Sequence, residues 1–206
     1  MKVIKAGFEI LNATPDLELT LERCGRVCYK SEGRIEEGSA DKFISRLKNV
    51  LKHESVLEHG AITVLFTNDR GVSHEEVRHR IASFSQESTR YCNYSKDQFG
   101  NEITVIDIRG GFPEMTTERV ELWRMAMLDA ERYYFAMLKA GATPQEARSV
   151  LPNSLKTDIV ITANPREWMH IFKMRCDKAA HPQIREVMQP CQAEFAKRWP
   201  ALFADL

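Results

Sequence analysis

Between Glu75 and Tyr91 the chain reads Glu-Glu-Val-Arg-His-Arg-Ile-Ala-Ser-Phe-Ser-Gln-Glu-Ser-Thr-Arg-Tyr, its densest run of polar chemistry. Arg78, Arg80 and Arg90 with His79 place three guanidinium groups and an imidazole within thirteen residues. A guanidinium offers a planar fork of N–H donors that matches phosphate oxygens, so the cluster suits a phosphate or pyrophosphate. A solvated basic helix followed by a loop is the competing account of the same charges. Against it, residues 85–96 concentrate Ser, Gln, Glu, Thr, Arg, Asn and Tyr, and no aliphatic residue falls between Phe84 and Ile103. Such a stretch cannot bury itself as core, but it can present many hydrogen-bonding groups to a polar ligand.

A second chemical signal lies near the C-terminal end. Trp168, Ile171, Phe172 and Arg175 recur at helical spacing, which sets a charge on an apolar stripe. That charge needs a partner, and either an internal carboxylate or a bound ligand can supply one. His53 and His59, flanked by Glu54 and Glu58, do not have the spacing of a helical metal pair, and H-E-x-x-H is absent. No metal is expected. Cys24 and Cys28 are four apart, and two buried helical thiols are a better reading of them than a zinc site.

These residues need elements to hold them. Residues 2–5, 8–11, 61–68, 103–107 and 155–163 read as strands by alternation or β-branched content. Helices are expected over 16–30, over 39–51 with Ser39 as a cap, and over 115–140, where Leu122, Met125, Ala126, Met137 and Leu138 are apolar. A turn at Asp69–Gly71 leads to a helix near 74–83, opened by a Ser73–Glu76 capping box. On it Val77 and Ile81 would face the core, while Glu75, Arg78, His79 and Ala82 project around another side. Thr143-Pro-Gln-Glu146 is a second capping box, for a short helix through Val150. Asn164-Pro-Arg-Glu167 opens a helix to about Lys178, and a last helix spans roughly 182–198.

Helices with a few non-adjacent strands give the α+β class: helices packed on a small, mostly antiparallel sheet. No repeated βαβ unit and no G-x-G-x-x-G is present, which argues against a Rossmann dinucleotide site. The 206 residues, 43% hydrophobic and 28% charged, suit one domain. Lys plus Arg and Asp plus Glu both number 29, so a general nucleic-acid binder, with its basic excess, is disfavoured. An odd set of five cysteines argues against a disulfide framework. No apolar run reaches the length of about 18 needed to span a membrane, and the first residues lack the apolar core of a signal peptide. A cytoplasmic protein is expected.

The central segment closely resembles the signature of flavin-dependent thymidylate synthases, R-H-R-x-x-S-x-N/S-E/Q-x-S-x-R-Y. Here it is Arg78-His79-Arg80, Ser83, Ser85-Gln86, Ser88 and Arg90-Tyr91. The commonest form has Asn-Glu where this chain has Ser85-Gln86, and Gln86 carries no charge. His53-Glu-Ser55 with Glu58-His59 is similar to the family's upstream H-x-S-x-x-E-H element, and Ala147-Arg148 with Leu151-Pro152 to its A-R-x-x-L-P element. Asn164, Arg166, His170 and Arg175 fall in a helix similar to its C-terminal ligand helix. Two departures stand beyond it. Ala179 occupies a position where the family often has His, and Ala180-His181-Pro182-Gln183-Ile184-Arg185 replaces the usual A-Q-x-E-I-R.

The resemblance implies reductive methylation of dUMP to dTMP, with methylenetetrahydrofolate as carbon donor and FAD, reduced by NADPH, as hydride carrier. It implies that Arg175 is the catalytic residue, polarising uracil as an oxyanion hole polarises a carbonyl. Glu75, Arg78, Gln86, Glu87, Ser88, Arg90, Arg148 and Arg175 would bind dUMP. Ser55, Arg78, His79, Arg80, Gln86, Asn164, Arg166 and His170 would bind FAD. For Asn164 a plain helix cap, and for Glu75 a favourable charge at a helix N-terminus, are the simpler readings. A homotetramer with shared sites is implied as well. Two rivals remain: a methyltransferase in which Cys92 attacks the pyrimidine, and a non-catalytic anion- or nucleic-acid-binding domain using Arg78, Arg80 and Arg90.

Overall fold

A computed structural model describes residues 1–206. The chain starts with β1 (Lys2–Ile4), β2 (Gly7–Ala13), α1 (Leu17–Val27) and α2 (Ser39–Ser45). Next, β3 (Ile62–Asp69) runs directly into α3 (Arg70–Glu76), followed by β4 (Ser83–Gln86) and β5 (Thr104–Ile106). The long α4 (Thr117–Lys139) and short α5 (Pro144–Ala147) precede β6 (Lys156–Ala163). Helices α6 (Pro165–Arg175), α7 (Pro182–Arg198) and α8 (Pro200–Phe203) close the chain.

Strands β2, β3, β6 and β4 form, in that order, an antiparallel sheet of four, while β1 and β5 pair in parallel. The class is α+β, as the element pattern implied. In β3 the alternation Ile62, Val64, Phe66 puts three fully buried side chains on one face, beside Ile159 and Ile161 of β6. Trp168, Ile171 and Phe172 of α6, with Val187, Cys191 and Phe195 of α7, belong to the same core. The indole N–H of Trp168 donates to the Ile62 carbonyl at 3.0 Å, which satisfies a buried donor and pins α6 to the central strand. A smaller core joins Ile103, Val105, Tyr134, Ala147 and Leu155 under α4.

The largest departure from expectation lies in the signature region. The helix begins at Arg70, not near 74, because Asp69 at the end of β3 accepts from the Val72 N–H at 2.7 Å and caps it first. Ser73 therefore sits inside the helix, its hydroxyl donating to the Arg70 carbonyl, and the predicted capping box does not form. The helix stops before Val77, so Arg78, His79 and Arg80 lie in the turn that follows. Val77 and Ile81 are 41% and 72% exposed rather than core. The next segment, expected as loop, is strand β4, with Ser83 opposite Thr162 and Gln86 opposite Ile159. Phe84 packs on the main core, and the open edge of β6 supplies the backbone partners that a local pattern cannot reveal.

Smaller corrections follow the same logic. Gly38, at φ 75°, is the cap of α2, and the Ser39 hydroxyl donates to the Glu22 carboxylate at 2.8 Å instead. The helix expected to reach residue 51 continues as a π-helical turn (Arg46–Leu51), ended by Lys52 in the left-handed region. Cys24 is half-buried and Cys28 exposed, so these are not two buried thiols. On α4 only Met127 and Tyr134 are buried, while Leu122 and Met125 are 63% and 61% exposed. The Thr143 capping box and the Asn164 cap form as expected.

Candidate active site

Arg175, the last residue of α6, meets the C-terminal end of α3 and the turn after it. Its Nη1 donates to Glu75 Oε2, its Nη2 to the Glu75 carbonyl and its Nε to His79 Nε2, each at 2.9 Å. The internal carboxylate that the sequence left as one option is therefore Glu75. Because α3 starts at Arg70, Glu75 stands in its last turn, and the reading of it as an N-terminal helix charge fails. A guanidinium carries five N–H bonds. Three are engaged here, so two are left for a ligand.

His79 is 6% exposed, and its ring meets His170 edge-on with centroids 5.6 Å apart. Burial, then the neighbouring Arg175 charge, lowers the imidazole pKa to about 4, so the ring is neutral near pH 7. Its Nδ1 lies 3.5 Å from Glu167 Oε1. His79, Glu167 and His170 bring ligand-type atoms within 4.8 Å of one another. Nε2 accepts from Arg175 at 2.9 Å and Nδ1 faces Glu167 at 3.5 Å, so both ring nitrogens of His79 already face protein groups.

Arg78, His79 and Arg80 line a cleft of about 1000 Å³ with Asn164, Arg166 and His170. Lys52 and Lys173 add positive charge to the wall, whereas Lys48 is paired with Asp205, and Glu54, Glu58 and Glu167 also line it. Ser55 sits nearby on the 3-10 segment Glu54–His59 but is not part of the wall. Arg166 is already paired, with Glu58 Oε1 at 2.6 Å and Glu54 Oε2 at 3.2 Å. Asn164 Oδ1 accepts from the Glu167 N–H at 2.8 Å, the helix-cap role.

The remaining predicted residues stand elsewhere. Gln86 donates to the Ser73 and Thr157 hydroxyls, at 2.8 and 3.2 Å, and does not line the cleft. Glu87 accepts from the Tyr94 hydroxyl at 2.8 Å and from Lys156 Nζ at 3.0 Å. Arg90 donates to Gln145 Oε1 at 3.2 Å, Ser88 Oγ accepts from the Arg90 N–H at 3.3 Å, and Arg148 reaches the Thr89 hydroxyl at 3.5 Å. These three form a second group near α5, and none of them lines the cleft that holds His79.

Burial, reinforced by Glu87, raises the Cys92 pKa. That favours the thiol over the nucleophilic thiolate and weighs against a covalent role. Sequence reasoning missed Glu167 and Glu76. Glu76 Oε1 accepts from Asn68 Nδ2 at 2.8 Å, while Glu76 Oε2 and Asn68 Oδ1 have no partner. Glu167 was visible only as part of a helix start, and Glu76 only as part of a capping box. Their partners are set by the fold.

Residues 9–201 match the family model described as thymidylate synthase complementing protein. The flavin-dependent thymidylate synthase of Geobacter sulfurreducens is 34% identical over 203 residues, covering 95% of this chain and 84% of its own. The proteins of the same name from Pyrococcus furiosus and from a Mycobacterium species are each 33% identical. They cover 84% and 90% of this chain, and 70% and 78% of their own lengths. With a cationic cleft, a tethered arginine with N–H groups to spare and a match along nearly its whole length, the chain belongs to the flavin-dependent thymidylate synthase family.

Proposed function

We propose that Arg175 is the electrostatic centre of a reductive methylation of dUMP to dTMP, and that residues 1–206 act as one catalytic domain. Members of this family use methylenetetrahydrofolate as carbon donor and FAD reduced by NADPH. The observation that carries the role is the three-point tether of Arg175 by Glu75 and His79, which fixes the guanidinium in direction. Methylation at C5 needs an electron-rich ring, with charge growing on the uracil oxygens and N3. A pre-oriented cation beside them stabilises that charge without moving at the moment of reaction. No protein nucleophile is then required.

The cleft fits a flavin dinucleotide by its donor set: Arg78, Arg80, Lys52 and Lys173 suit a diphosphate. The flavin, when bound, supplies the hydride that completes the methyl group. Arg78 and Arg80 would bind the coenzyme, with Asn164, Arg166 and His170 at its rim and Ser55 on the adjoining segment. Arg166, held by Glu54 and Glu58, would present a wall rather than a free charge. His79 would serve from inside, since both its ring nitrogens face protein groups.

Ser88, Arg90 and Arg148 would hold the nucleotide's phosphate and sugar, with Glu75 beside the base and Gln86 and Glu87 supporting the strand from behind. Because this group does not share the cleft, we infer that a site is completed across subunits of a homotetramer. The exposed apolar side chains Leu122, Met125, Leu128 and Tyr133 on α4 support such assembly. No helix is long and apolar enough to cross a membrane, and a cytoplasmic location is inferred from the substrates.

Arg175→Ala tests the central role. Removing one pre-organised donor set should lower kcat by roughly a hundred- to a thousandfold, with the flavin absorbance of the purified protein retained. Unchanged turnover would remove Arg175 from the role.

A further inference from the structure

Glu167 is a buried carboxylate at the wall of the cleft, and the chemistry above gives it no role. It occupies the third position of α6, its side chain is 9% exposed, and its Oε1 stands 3.5 Å from Nδ1 of the neutral His79 ring. The other side of that ring is fixed. Arg175 Nε always bears hydrogen, because a guanidinium does not deprotonate in proteins. His79 Nε2, 2.9 Å away, must therefore offer its lone pair. A neutral imidazole carries one proton, which leaves it on Nδ1, facing Glu167 Oε1 at 3.5 Å. That separation is long for a hydrogen bond, as is common at catalytic sites before substrate closes them. With the opposite tautomer, two N–H groups would face each other between His79 and Arg175.

We propose that Glu167 is a positioning residue for Arg175: acting through His79, it selects the ring's tautomer and so holds the guanidinium on its line toward uracil. The proposal rests on Arg175 being the uracil contact. Burial lowers the ring's tendency to protonate, in keeping with one neutral tautomer. A favourable charge in the first turn of α6 is the simpler account of a glutamate here. That account is indifferent to the state of His79, so the two can be told apart. The Asn164 cap bonds the backbone N–H of Glu167, not its side chain, and so persists in any variant at this position.

The test uses the flavin-loaded enzyme and two variants. Glu167→Gln keeps an acceptor for Nδ1–H, and Glu167→Leu removes it. Nitrogen-15 NMR of the histidine rings, with the His79 signal assigned by its loss in His79→Asn, reads the tautomer. Steady-state kinetics with dUMP read kcat and KM. The expected result is a proton on Nδ1 in the wild type and in Glu167→Gln, and a mixture of tautomers in Glu167→Leu. With Glu167→Leu, kcat per flavin-loaded site should fall about 10- to 100-fold, the scale of a catalytic group displaced by about an ångström. Glu167→Gln should recover most of that loss. A wild-type ring protonated on Nε2 overturns the proposal, even if the leucine variant fails to fold. Wild-type kcat in Glu167→Leu, or an equal loss in both variants, overturns it too. Full activity in Arg175→Ala would instead end the uracil role, while the ring's tautomer would still report on Glu167 independently.

Discussion

At Glu76 one carboxylate oxygen accepts from Asn68, the other meets nothing, and burial pushes the pKa up to about 7. The folded value lies above the ordinary 4.5, so the stability gained by the protonated form is complete below that ordinary value. It is lost as pH rises through about 7. His79 has the opposite sign. Its folded pKa of about 4 lies below the usual 6.5, so its contribution is present above 6.5 and is lost as pH falls toward 4. Between these limits the two slopes oppose each other. Glu76→Gln keeps a neutral group of the same shape and removes one of them. Urea unfolding from pH 5 to 8 should show the variant's stability rising with pH relative to wild type. A parallel pair of curves would mean that Glu76 does not titrate in that window.

Among the elements, α6 is the one on which cap, core and site depend together. Asn164 caps it, Trp168 anchors it to β3, and Arg175 ends it. Asn164→Ala should cost about 1 kcal/mol of stability through the lost cap, whereas Asn164→Asp keeps a capping oxygen. If Asn164 also meets the flavin, Asn164→Asp will hold its melting temperature but lower flavin affinity, as a fluorescence titration would show. Equal affinity would leave the residue as a cap alone. This helix was legible in the sequence because its signals are local: cap, proline, apolar stripe. So was β3, whose alternation survives in the burial of Ile62, Val64 and Phe66. The signature region was misread because its local signals compete. Ser73 and Glu76 made a plausible helix start, but Asp69 came first, and the edge of β6 turned a polar loop into β4. At the site, the need of Arg175 for a partner was readable. Its closure on His79, 96 residues away, belongs to the tertiary fold.

At the scale of the molecule, the predicted ligand residues other than Gln86 and Glu87 fall into two groups. One surrounds Arg175 and the cationic cleft, and the other gathers Ser88, Arg90 and Arg148 near α5. If neighbouring subunits join them, Arg175→Ala and Arg90→Ala subunits should complement each other. Mixing the two inactive proteins under conditions that exchange subunits should restore turnover that neither shows alone. No recovery, after native mass spectrometry has shown mixed oligomers, would place both arginines in a site made by one chain. The sheet itself carries a further consequence. Strand β4 is one of its two outer members, only four residues long, with Ser83 and Ser85 exposed. An open backbone border recruits foreign strands when it is long and greasy. Brevity and two outward hydroxyls deny this border that adhesion, so the polar run that looks built for small molecules also makes β4 a poor template for a foreign strand.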